Sequence, residues 1–296
     1  MKRLFLLFLL CSSKVFAQQS NDSSIVQLFH DVIFTLANDS MKGRATGSLE
    51  EQKSLLFIDQ QFNELTKHKL RKQSFEASLN DTTEFTAVNG YYFFNHHSKH
   101  TVILSAHYDH IGMGGPLSMS KKNDVVHNGA DDNASGVALL LALAENIAQH
   151  KSSKVNYLIV FYSGHEIGLF GSAAFSEFVQ QKKRKYKTIS AVINFDMVGR
   201  LHPELLKLKC LRSPTMDSVL QLVDPIPFGF KLNVANEEQL KQLDTKTFYN
   251  VGIPCINFST GIHNDYHTIS DDPQYINMLG MLAIYHYLQE LIPLIP

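Results

Sequence analysis

Imidazole and carboxylate side chains recur in this chain just where short apolar runs end, and these are the groups that hold zinc and similar divalent ions. His107-Tyr108-Asp109-His110 follows the run 101–106, and His165-Glu166 comes shortly after the run 157–162. Asp196 closes the run 191–195, and His267 lies a few residues beyond 255–258. Between them, the stretch His127 to Gly136 sets two adjacent acids, Asp131 and Asp132, ahead of an apolar segment from Val137 to Ile147. A donor set without thiolate suits an open, catalytic centre. His107, Asp132, Glu166, Asp196 and His267 suffice for two ions if one carboxylate bridges. Asp132, leading a helix after a glycine-containing turn, is placed to do so. A pair of ions about 3.5–4 Å apart can activate a shared water against a carbonyl. Asp109, two residues from His107 along an extended segment, is placed to orient that imidazole.

Each group also has a bland reading. Asp131 before a helix reads equally as an N-cap that complements the helix dipole. His96, His97, His100 and His150 read as surface or packed residues. His165-Glu166 opens like a His-Glu-x-x-His zinc motif, but position 169 is Leu, so that motif is absent. Taken singly, each group favours the bland reading. Five at strand ends do not.

The elements that must position them follow from the same runs. The four apolar runs read as strands buried on both faces, separated by helical stretches at 137–150, 170–182, 215–222 and 275–290. Further helices are expected at 23–36 and 50–65, a loop at 41–47 and a strand at 85–94. The expectation is an α/β fold, a mixed twisted sheet sandwiched between helices. Ligands of such sheets bind beyond the carboxyl ends of the strands, where the polar groups fall.

The bulk numbers fit. The chain has 296 residues, 19% of them charged, with a net charge of -1, a balance that gives no sign of a nucleic-acid or membrane-surface partner. Met1-Lys2-Arg3, the apolar run 4–10 and Val15-Phe16-Ala17 read as a secretory signal peptide over 1–17, too short to span a bilayer. Residues 18–296 then form one domain, exported to the periplasm or the exterior. Cleavage removes three basic residues and no acid, moving the charge from -1 to -4. Two cysteines remain, Cys210 and Cys255; they could pair on export, and the favoured reading is two buried thiols.

The succession His107-Tyr-Asp109-His-Ile-Gly, Gly129-Ala-Asp-Asp132-Asn-Ala-Ser-Gly, Glu166-Ile-Gly-Leu-Phe-Gly-Ser, Asn194-Phe-Asp196-Met-Val-Gly-Arg and Asp265-Tyr-His267-Thr resembles the M28 metallopeptidases. These are co-catalytic zinc aminopeptidases and relatives that include the glutaminyl cyclases, and the likeness runs from about Leu36 to about Asp272. The resemblance implies a zinc-exopeptidase fold and two divalent ions, zinc in the family. It gives one ion to His107, Asp132 and Asp196, the other to Asp132, Glu166 and His267, with Asp109 behind His107. The chain departs from the pattern at His165, where relatives carry the Glu that serves as general base, and at Asp244-Thr245, where many have Asp-His. Imidazole has a pKa suited to a base at neutral pH. The function expected is an aminopeptidase that cleaves N-terminal residues from peptides, His165 moving the proton. The alternatives are a metal-binding homologue that lost turnover and serves as a binding protein, and a cyclase-like enzyme.

Overall fold

The computed structural model describes residues 21–80, 83–122, 124–150, 153–235 and 243–296. The signal-peptide reading lies outside the described residues. Among the described residues eight strands form one sheet: β1 (Arg71–Asn80), β2 (Thr83–Phe94), β3 (His100–His107), β4 (Asn156–Tyr162), β5 (Thr188–Phe195), β6 (Lys207–Arg212), β7 (Lys231–Ala235) and β8 (Cys255–Ser259). Their order is β1-β2-β4-β3-β5-β8-β6-β7. The four apolar runs are the four central strands, and β4-β3-β5-β8 pair in parallel. The antiparallel pairs β1-β2, β2-β4 and β6-β8 make the sheet mixed, as expected.

The helices are α1 (21–36), α2 (Leu49–Thr66), α3 (Gly136–Gln149), α4 (Phe170–Gln181), α5 (Lys183–Tyr186), α6 (Asp217–Leu220), α7 (Lys246–Asn250) and α8 (Met278–Leu291). The expected loop at 41–47 is in part a 3-10 turn, Asp39–Arg44. Alternate residues of each central strand enter opposite cores. Val102, Leu104 and Ala106 of β3 pack with α1, α2, α3 and α8, whereas Ile103 packs with Phe175 and Val179 of α4 and Phe248 of α7. This period of two is what a sheet covered on both faces requires. Helix α3 is buried without a break from Gly136 to Ala144, so it reads as apolar on every side. Each such Leu or Ile contributes roughly 1.5–3 kcal/mol on burial. No helix among the described residues is long and apolar enough to cross a membrane.

The same alternation settles the cysteines. Cys210 belongs to the α3/α8 core and Cys255 to the α4/α7 core, so the two thiols lie on opposite faces of the sheet, buried and free. Burial pushes Cys210 up to about 12 and raises Cys255 as well, leaving both as inert thiols.

Candidate metal centre

The carboxyl ends of β3, β4, β5 and β8 converge on one side of the sheet. His107 is the last residue of β3, Asp196 directly follows β5, and Glu166 sits in the turn after β4. Asp132 lies in the irregular turn Ala130–Ser135 that leads into α3, and His267 in the segment after β8. All five expected ligands come together, and their donor atoms form two groups. Nε2 of His107 lies 3.4 Å from Oδ1 of Asp132 and 3.6 Å from Oδ1 of Asp196. Nε2 of His267 lies 3.3 Å from Oδ2 of Asp132 and 3.2 Å from Oε2 of Glu166. Asp132 thus offers one oxygen to each group.

These spacings fit cations. A tetrahedral ion with bonds of about 2.0–2.1 Å keeps its ligand atoms about 3.3 Å apart, slightly longer than a good hydrogen bond. The Nε2 atoms of His107 and His267 are buried and have no hydrogen-bond partner among the described residues. Charge points the same way. Burial alone would lower both imidazoles, yet Asp109, Asp132 and Asp196 raise His107 well above its ordinary value. Asp132 and Glu166 carry His267 up to about 10 against the same burial. Burial and Asp132 push Glu166 up, but His110 and His267 outweigh them and hold it down at about 2. Ionised carboxylates that favour the protonated form of their imidazole neighbours form a site in need of positive charge. The residues present fit divalent ions.

His165 lies beside this cluster, a ring nitrogen within 4.8 Å of donor atoms of His107 and Asp196. Its ring stacks face to face on His107, centroids 3.8 Å apart and planes 8° from parallel. Lone pairs in the two ring planes therefore run side by side instead of meeting at one point. That makes His165 a neighbour of the cluster, ill-suited to share an ion with His107. Its Nδ1 is 2.9 Å from Oδ2 of the buried Asp244. An Nδ1–H donated to that carboxylate leaves Nε2 as the acceptor. Burial and His107 oppose a charge on His165, and Asp244 overrides them, raising it to about 9.

Asp109 stands behind His107 with both its main chain and its carboxylate. Nδ1 of His107 meets the main-chain oxygen of Asp109 at 3.2 Å, while the carboxylate is 3.6 Å away. The carboxylate also accepts from the backbone N–H of His165 and of Glu166 and from Thr46 Oγ1. It fixes the turn that carries both side chains. Nor is Asp131 a helix cap: its carboxylate accepts from Gly199 N–H and Ser135 Oγ and faces Nε2 of His263.

Three supporting residues escaped the sequence reading. His110 faces Oε1 of Glu166 through Nδ1 at 3.0 Å, leaving Oε2 to the His267 group. Asp271 accepts from the backbone N–H of Asp131 and Asp132, holding the turn that presents Asp132. Arg44, fully buried, donates to the carbonyls of Leu36, Tyr108, Asn128 and Gly129. Beside it, Gly43 has φ +64°, and a Cβ there would stand 2.4 Å from the carbonyl oxygens of Gly112 and His127. His110 lies within a quoted motif and could have been found there. Asp271 and Arg44 act on backbone groups, which side-chain patterns do not reveal.

The sequence profile of peptidase family M28 matches residues 93–292, the span that carries all five converging donors. The chain belongs to peptidase family M28. A probable leucine aminopeptidase of Arthroderma otae is 33% identical over 107 residues, 34% of this chain and 26% of that protein. The chain thus spans about a quarter of the length of such curated relatives. Among solved structures, glutaminyl cyclase of Fimbriiglobus ruber superposes with a TM-score of 0.75 at 17% identity, covering 91% of this chain and 95% of that one. BSAP, a zinc aminopeptidase from Bacillus subtilis, does so with 0.72 at 15% identity, covering 90% and 94%. Both share the fold.

Proposed function

We propose that this protein is a zinc-dependent aminopeptidase that removes N-terminal residues from peptides, using two ions. The observation that carries the reading is Asp132, with Oδ1 at the His107–Asp196 pair and Oδ2 at the His267–Glu166 pair. His107, Asp132 and Asp196 would hold one ion, and Asp132, Glu166 and His267 the other. Zinc bound there supplies Lewis-acid polarisation of the scissile carbonyl and lowers the pKa of water. The chain's own residues handle the proton. Nε2 of His165, kept free by the bond from Nδ1 to Asp244, takes it from the attacking water and returns it to the leaving amine as the C–N bond breaks. Two divalent ions alongside would oppose the protonated imidazole and offset the upward pull of Asp244. Asp109 acts by position, holding the backbone of His165 and Glu166.

The test is hydrolysis of an aminoacyl-arylamide panel by the purified protein, with zinc and with chelator, together with metal content. Chelator-sensitive turnover with two ions per chain is the expected result. One ion per chain and cyclisation of an N-terminal glutaminyl peptide, without arylamide hydrolysis, would replace the reading with the cyclase one. Two ions without turnover on any substrate would favour the binding protein.

A further inference from the structure

The net charge near zero hides a local asymmetry. Lys182, Lys183, Arg184, Lys185 and Lys187 are five cations within six positions, all exposed, at the end of α4 and through α5. Lys99 and Lys187, each just ahead of a strand, join this surface, since β3 and β5 start side by side with His100 opposite Thr188. Two of the cations are turned back onto aromatic rings, Lys182 Nζ 3.9 Å from the Phe178 centroid and Lys185 Nζ 4.7 Å from that of Tyr186. The other four make no such ring contact among the described residues and are exposed. Among the described residues no carboxylate forms an ion pair with any of the six, although surface cations elsewhere on the chain, such as Lys42, Lys53 and Arg212, have one.

Lys99, Lys183 and Lys187 also line a cleft of about 550 Å³ whose remaining wall includes Val179, Ile189, Ile253 and the half-exposed Val251. Phosphate groups would sit among the ammonium groups, and the apolar wall suits the methylenes that adjoin a headgroup. A rigid duplex offers no such apolar counterpart. The patch lies where β3 and β5 begin, whereas the metal centre lies where they end.

We propose that this face docks the protein on an anionic phospholipid surface and holds the metal centre toward solvent. The proposal is independent of the peptidase reading. Each Lys or Arg near an anionic bilayer adds about fivefold to binding, and salt screens the attraction.

The experiment is co-sedimentation of the full chain with vesicles of phosphatidylglycerol and phosphatidylcholine, or of phosphatidylcholine alone, at low and high salt. The comparison is the variant Lys183→Glu/Arg184→Glu/Lys187→Glu, with its fold checked by circular dichroism. Binding is expected only to the anionic vesicles, weakened by high salt and reduced by more than about a hundredfold in the variant, since three cations are lost and three anions gained. Should the variant misfold, Lys99→Gln/Lys183→Gln replaces it, with a loss of about twenty-five-fold expected. Equal binding to neutral vesicles, binding retained by a folded variant, or no binding at low salt overturns the proposal. So does capture by heparin or an oligonucleotide with no attachment to vesicles.

Discussion

Replacing Asp244 by Asn isolates the pairing that sets His165 apart. The bond from His165 Nδ1 to Oδ2 of Asp244 is 2.9 Å long and buried on the Asp244 side, and Oδ1 of Asp244 has no hydrogen-bond partner among the described residues. The amide keeps size and shape but loses the charge, and it can turn an N–H toward the imidazole. Either outcome weakens the hold on the tautomer that leaves Nε2 free. A hydrogen bond to a charged group contributes about 1.5–3 kcal/mol. At 1.36 kcal/mol per factor of ten in rate, its loss lowers kcat by about 10- to 150-fold. Asp244 also raises His165, so the acid limb of the rate profile should move to lower pH in the variant. Steady-state kinetics on an aminoacyl-arylamide across pH, with metal content measured in parallel, checks this. The expected result is a fall in kcat with KM and both ions nearly unchanged. An unchanged kcat would refute the role of Asp244, and a loss of metal with the activity would make it a support of the metal centre instead.

Further expectations concern the same cluster and its frame. His165→Glu should lose activity by about 10²–10⁴, because the new carboxylate would stand against Asp244; a gain in rate would show His165 to be a decayed base. In the chelated protein Glu51, His165 and His267 sit at about 8, 9 and 10, all above their ordinary values. Their contribution to stability is full at low pH and lost as pH rises, for Glu51 from about 4.5 to 8 and for the imidazoles from about 6.5 to 10. Thermal melts with chelator should therefore fall across this range, while zinc, which needs deprotonated ligands, should raise the melting temperature most at the alkaline end. A chelated protein whose melting temperature rises with pH there would contradict these shifts. Gly43→Ala should destabilise by more than about 1 kcal/mol, since its Cβ would meet two carbonyl oxygens at a positive φ; an unchanged melting temperature would show that the turn relaxes freely.

The core was legible because it is apolar and periodic. The runs 101–106, 157–162, 191–195 and 255–258 each lie within a central strand, buried on both faces. Strands β1, β6 and β7 were missed for the converse reason. Lys207–Arg212 and Lys231–Ala235 are short and interleave lysine or asparagine with apolar residues, and Arg71–Asn80 forms the polar outer edge of the sheet. Their pairing partners define them more than their own pattern does. At the site, the five converging side chains were readable because imidazole and carboxylate groups at strand ends stand out by type. The acceptor role of Asp271 and the donor role of Arg44 were not, because both address main-chain groups brought together from distant segments. Asp109 shows the intermediate case: its importance was visible, but the turn it braces was not.

Arg44 joins parts of the chain that never meet along the sequence. One of its four acceptors, the Leu36 carbonyl, is the last residue of α1, while the other three belong to the loops bearing His107 and Asp132. The first helix contributes no donor to the metal centre, yet it closes the ring of carbonyls around the guanidinium that ties those loops. A protease that removed α1 through Leu36 would leave His107, Asp132, Glu166, Asp196 and His267 in the chain and still loosen the two loops that present His107 and Asp132.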